Sequence, residues 1–305
     1  MKTGFEPASR GPPVPFQDPT MTTTATRSRA IAAVFAAACG LISATSVRAA
    51  ESFDNCTGFI DSLPATITTQ GVWCLRKNLT TAMASGVAIT VAGHNITIDC
   101  NDYKIGGLAA GPSSQAYGVE VDERQNATIR RCGVRGFLRG IVASGSGHLV
   151  EDNRLDGNLF VGIDIHGESN LVQRNRVLDT GGSTFPGTIA MYGSADFLDN
   201  VVEGVFVDVA NASGIALHAT GNAITIRGNR VRDVDANGSG YPRGIYASGV
   251  AVVIEGNQVT TFHANQGRAV FAPAVATVCR DNLVHGFMIA YDGCDSSFDN
   301  VPASP

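Results

Sequence analysis

Two histidines and a tyrosine recur at one place in a repeated five-residue pattern. Gly162-Ile163-Asp164-Ile165-His166, Thr188-Ile189-Ala190-Met191-Tyr192 and Gly214-Ile215-Ala216-Leu217-His218 each begin with a small residue and then alternate apolar positions. If these are strands with the alternate apolar side chains turned inward, the residues between them face solvent. Aligned on the leading small residue, His166, Tyr192 and His218 stand side by side on consecutive repeats, with Asp164 two residues from His166. An imidazole beside a phenol can act as base and acid in removing a proton next to a sugar carboxylate. Arg174 and Arg176 share the repeat of His166, and a guanidinium is suited to clamping such a carboxylate. Tyr246 and Asp122 continue the outward columns and are candidates for contacting the same substrate. The bland reading also stands, because His, Tyr, Ser and Asp suit any solvated strand position.

What must hold these residues is a repeat. The small-then-alternating element also appears at Gly118, Gly140, Gly244, Ala269 and Met288. Between its copies stands an asparagine flanked by short apolar runs: Asn153, Asn175, Asn200, Asn229, Asn257, Asn282 and Asn300, 18 to 29 residues apart. Cys100 and Cys132 take the matching place upstream. Each unit holds two or three short strands, too few to bury an apolar face alone, so neighbouring units must stack. Asparagine tolerates the left-handed backbone that a sharp turn needs. Stacked asparagines can also hydrogen-bond along the axis. The expected fold is all-β, a parallel β-solenoid of about nine rungs, a rod on the order of 40 Å long.

The chain has 305 residues, with 22 Lys and Arg against 27 Asp and Glu, 44% hydrophobic residues and 35 glycines. That hydrophobic share excludes an acidic disordered chain, and the mild acidic excess leaves no footprint for nucleic acid. Residues 1–20 read as a structureless leader upstream of the true start, Met21. Residues 21–50 read as a signal peptide: Arg27 and Arg29, an apolar run from Ala30 to Ile42, and small residues ending at Ala49 and Ala50. After its removal no membrane span is expected, and the destination is periplasmic or extracellular. Of seven cysteines, Cys39 falls in that signal. The remaining even set suits an oxidising compartment. Local pairing of Cys56 with Cys74, Cys100 with Cys132 and Cys279 with Cys294 is preferred among the connectivities allowed. Residues 51–86 are expected to form an N-terminal cap and the first strands, residues 87–300 the solenoid, and residues 301–305 a tail.

The repeats and the opening run from Ala92 to Asn101 resemble the right-handed parallel β-helix proteins of the pectin-lyase-like superfamily, over roughly residues 70 to 300. The resemblance is closest to exported bacterial β-helix repeat proteins. It implies a single-stranded right-handed helix and, for many members, action on polysaccharide. The motifs of polygalacturonase-like hydrolases, of pectate-lyase-like enzymes and the Asp-Pro-His of mannuronan epimerases are all absent. The sequence therefore points to a polysaccharide-associated β-helix, with lyase or epimerase chemistry on an acidic polymer as the enzymatic reading. A non-catalytic adhesin or scaffold is the alternative, and a periplasmic metal-delivery protein is a third reading, on repeat similarity alone. No cofactor motif is present. The one ion the residues suggest is calcium, on Glu120 and Asp122.

Overall fold

In the computed structural model, residues 53–262 and 266–302 are described. The expected leader and signal segment lie outside them. The described chain winds through three parallel sheets. One rung runs from a strand of sheet 1 to a strand of sheet 2, then sheet 3, and then climbs to the next rung. Sheet 1 runs from Ala65–Ile67 to Ile289–Asp292 and sheet 3 from Leu79–Thr80 to Val301–Pro302, with ten strands each. Sheet 2 runs from Gly58–Phe59 to Ser296–Phe298 and has eleven. Each strand pairs only with its equivalents one rung above and one below. The repeat logic of the sequence is thus realised as a solenoid, with a first rung already in place over residues 65–80.

Inward side chains stack in apolar columns. On sheet 1 these are Val119, Ile141, Ile163, Met191, Leu217, Ile245 and Val270, all fully buried. Sheet 2 contributes Ile98, Ile129, Val150, Val172, Phe197, Ile226, Ile254 and Cys279, and sheet 3 a run of valines, isoleucine and leucine from Ile105 to Val284. Each such side chain is worth about 1.5–3 kcal/mol in transfer from water, and only stacking provides it. The disulfides are Cys56–Cys74, Cys100–Cys132 and Cys279–Cys294, the pairing expected from the sequence. Three disulfides fit an extracellular or periplasmic protein. No helix among the described residues is long and apolar enough to cross a membrane.

The asparagines do form an axial ladder at the turn between sheets 2 and 3. Asn153, Asn175, Asn200, Asn229, Asn257 and Asn282 each donate from the backbone N–H and from Nδ2 to Oδ1 of the next asparagine, at 2.9–3.1 Å. Each Nδ2 also donates to a sheet 2 carbonyl of the rung before, as Asn200 does to Val172 at 2.9 Å. The backbone reason given for asparagine was wrong, however. The left-handed conformation belongs to the residue before it: Asp152 (φ 55), Arg174 (φ 53), Asp199 (φ 55) and Asp281 (φ 55), with Gly228 and Gly256 filling the same place. Asparagine is required for its side chain, which supplies a donor and an acceptor to buried backbone that no strand can satisfy.

Replacing Asn200 with leucine leaves the Asn175 N–H buried without a partner and removes the side-chain hydrogen bonds to the Val172 carbonyl and to Asn229. At about 1–3 kcal/mol for the unsatisfied group, with the lost hydrogen bonds added, Asn200→Leu should destabilise the protein by on the order of 3 kcal/mol. A shift of the urea midpoint to lower concentration measures it, and an unchanged midpoint would show that the ladder carries no stability.

Candidate functional site

Sheet 1 turns an outward column toward solvent, and its register differs from the sequence alignment. Backbone pairing sets Val142 opposite Asp164, Asp164 opposite Tyr192, Tyr192 opposite His218, His218 opposite Tyr246, and Tyr246 opposite Phe271. The small residue that equates with Gly162 is therefore Ala190, not Thr188, and the two alanines read as outward, Ala190 and Ala216, are fully buried. A small side chain in either place satisfied the pattern, so spacing alone could not choose between registers two residues apart. His166 belongs to the next outward position, with Ser144 beneath it.

The shift keeps the candidates together. His166 packs edge-on against Tyr192 with ring centroids 5.1 Å apart, and Tyr192 lies 5.0 Å from His218. His218 then stacks on Tyr246 at 4.2 Å and Tyr246 on Phe271 at 5.0 Å. Strand length and close backbone approach make this continuity possible. At Gly193 (φ 133) a Cβ would sit 1.6 Å from the Ile165 carbonyl oxygen, so only glycine lets the Tyr192 strand end there.

The pKa values of the two imidazoles are pushed in opposite directions. His166 Nε2 lies 2.7 Å from Asp164 Oδ1, and that hydrogen bond raises the His166 pKa above its ordinary value of 6.5. Asp164, with its side chain 1% exposed, also takes an ion pair from Arg139. His218 has no carboxylate partner among the described residues. Burial first, and the charge of Arg243 second, push its pKa down to about 4, and its Nε2 stands 3.3 Å from Ser248 Oγ. Near neutrality Tyr192 is therefore flanked by one imidazole that favours its cation and one held neutral.

Three arginines that the sequence reading passed over border this column. Arg139, Arg243 and Arg268 all lie on sheet 1, with Arg243 directly opposite Arg268. Arg139 is paired with Asp164 and Arg268 with Asp292. Arg243 sits over Tyr246, 5.3 Å from the ring centroid, with no carboxylate in ion-pair reach among the described residues. Its Nε is buried without a hydrogen-bond partner, and burial lowers its pKa. A signal for these residues existed, since each arginine immediately precedes a small residue of the repeat: Arg139-Gly140, Arg243-Gly244 and Arg268-Ala269.

The arginines chosen from sequence lie elsewhere. Arg174 occupies the turn between sheets 2 and 3, the corner that sheet 1 does not touch, and is engaged by Asp152 at 2.9 Å and by Glu151 at 2.5 Å. Arg176 opens a sheet 3 strand and is exposed. Sharing a rung with His166 does not mean sharing a face, so neither can reach a ligand held by the column. Asp122 is exposed and accepts a hydrogen bond from Ser144 Oγ at 3.0 Å. Glu120 lies in the column itself, its carboxyl pKa raised by burial and by the nearby Asp122 charge. No three metal-ligating side chains converge among the described residues.

A family model described as a right-handed β-helix region matches residues 66–231. The chain belongs to the right-handed β-helix family. No curated protein matches it. Among solved structures, this β-helix is similar to the A-module of the Azotobacter vinelandii mannuronan C-5 epimerase AlgE6, at 12% identity and TM-score 0.36 over 82% of this chain and 92% of that one. It is similar to an alginate lyase from Paenibacillus sp. at 14% identity and TM-score 0.34, over 79% and 96%. It is also similar to the Dettilon tailspike protein at 13% identity and TM-score 0.34, over 79% of this chain and 60% of the tailspike. At these identities and TM-scores the likeness carries no argument about this chain.

The opposed imidazoles make stability depend on pH with opposite signs. His166, its pKa raised in the fold, stabilises below pH 6.5, and that contribution is lost as pH rises through the raised value. His218, its pKa lowered in the fold, costs stability as pH falls from 6.5 toward about 4. Histidine side-chain NMR should give a His218 midpoint near 4 and a His166 midpoint above 6.5 that drops in Asp164→Asn. His218→Phe, which keeps the stack, should flatten the acid limb of the unfolding midpoint against pH.

Proposed function

We propose that the protein binds an acidic polysaccharide on sheet 1 and removes the proton beside a uronate carboxylate, as a lyase or an epimerase. The observation that carries this reading is Arg243, a half-buried guanidinium without a counter-ion among the described residues, over the Tyr246 ring and near the neutral His218 imidazole. A buried cation of that kind is stabilised by an arriving anion, and a carboxylate accepts two parallel hydrogen bonds from it. Arg243 would neutralise the carboxylate and so favour loss of the adjacent C5 proton. Neutral His218 takes that proton. In elimination the C4–O bond then breaks, the electron pair becomes a C4–C5 double bond, and the leaving oxygen receives a proton from Tyr192. In epimerisation no bond to oxygen breaks; His218 keeps the abstracted proton and the Tyr192 hydroxyl delivers another to C5 on the opposite face.

A second reading has its own support. Arg139 and Arg268 already hold carboxylates of this chain, which suits a surface built to bind and not to turn over, an adhesin or scaffold. Proton NMR of alginate, polygalacturonate and glucuronate-containing polymers, before and after incubation with the protein, separates the two. The enzymatic reading expects unsaturated ends or changed anomeric signals that fall at least 100-fold in rate in His218→Ala and in Arg243→Gln. Spectra unchanged across the panel would leave binding alone.

A further inference from the structure

The turn from sheet 1 to sheet 2 most often spans seven positions, and within the site rungs the one after Tyr192 is the exception, a shortening that recurs only on the last described rung, from Asp292 to Ser296. Seven positions separate Asp164 from Leu171, His218 from Thr225, and Tyr246 from Val253, all equivalent points on sheets 1 and 2. On the rung between, Tyr192 and Asp196 occupy the same equivalent points only four positions apart. Two neighbouring turns therefore project and the Tyr192 turn does not. The result is a notch of about 800 Å³ beside the end of the Tyr192 strand. That volume falls within the range of small-molecule sites, roughly 300–1,000 Å³.

The lining of the notch has a chemistry of its own. Ser194 and Thr220 meet on its floor with hydroxyl oxygens 3.1 Å apart. Asn170 ties one wall to the site strand, its Nδ2 donating to the carbonyls of His166 and Ser194 at 3.3 Å. Asn222 belongs to the opposite wall. The only charged side chains lining it are the carboxylates of Glu168 and Asp196, with no lysine or arginine. Hydroxyls, amides and carboxylates suit the hydroxyl groups of a sugar, and the two negative charges disfavour a uronate. The arginines lie at the other end of the sheet 1 strands, before the column and not after it.

We infer that the notch is a subsite for a neutral pyranose, so that the polymer handled on sheet 1 is a heteropolysaccharide joining uronate to neutral sugars, not a homopolymer of uronates. The inference rests on the proposed action at the Arg243 and His218 column, and it narrows the substrate class for that site.

The test fills the notch without touching the column. One variant inserts Gly-Glu-Ser between Gly193 and Ser194, copying the longer turn of the preceding rung. A second, Ser194→Trp, fills the floor and guards against a folding failure of the first. A glycan array would carry polymannuronate, polyguluronate and polygalacturonate beside gellan, xanthan and hyaluronan oligosaccharides. The wild-type protein should retain one or more heteropolymers at least about tenfold more tightly than any homopolyuronate, and both filled variants should lose that preference. Arg243→Gln should lose every acidic glycan. A preference for homopolyuronates, or filled variants that fold and bind as wild type does, would overturn the subsite while leaving the column reading intact. Retention of no acidic glycan by the wild type would overturn both.

Discussion

A parallel solenoid must satisfy the backbone at every corner, because its turns are stacked as tightly as its strands. At the corner between sheets 2 and 3 the asparagine ladder does this, each side chain accepting from the rung before it and donating to the rungs on both sides. The same bonds hold successive rungs in step. Register along sheet 1 is inherited from that alignment, and the column of Asp164, Tyr192, His218 and Tyr246 exists only while the rungs are aligned. Near the N-terminal end the Cys100–Cys132 disulfide joins two rungs where the ladder has not begun, and the Cys132 N–H donates to Asn153 as a ladder asparagine would.

On that frame the column acquires properties that no single strand has. His166 and His218 are chemically the same side chain on neighbouring faces of Tyr192. One reaches a carboxylate on its own strand, and the other is packed between phenols and beside a guanidinium. Their protonation preferences diverge for those reasons alone. Arg139 and Arg268 have carboxylates, and Arg243 has none among the described residues. Electrostatic asymmetry is thus built from a repeat that is nearly symmetric, by changing one outward residue per rung.

The repeat also explains why a binding site can be made by removing residues. Each turn in a solenoid rests on its neighbours, so shortening one opens a notch whose walls are turns of ordinary length. The core beneath is untouched, since Ala195 and Phe197 remain buried on the shortened rung. The notch and the column share the Tyr192 strand, and each presents a different chemistry to a chain lying across the face.

The fold was open to reading from the sequence because its cause is local and repeated. Apolar alternation and a recurring asparagine appear often enough to exclude other architectures, and the three disulfides are the local pairs of an even set of cysteines. The candidate residues His166, Tyr192, His218 and Tyr246 were readable for the same reason. What spacing could not decide was anything set by neighbours on other rungs. The two-residue register was hidden because Thr188 and Ala190 are both small. The left-handed residue was assigned to asparagine because the residue before it varies among Asp, Arg and Gly. Arg174 was placed at the site because sequence proximity within a rung says nothing about which of three faces a residue occupies. The lowered pKa of His218, the lack of a carboxylate at Arg243 among the described residues and the notch beside Tyr192 are relations between rungs, and only the stacked structure brings the partners together.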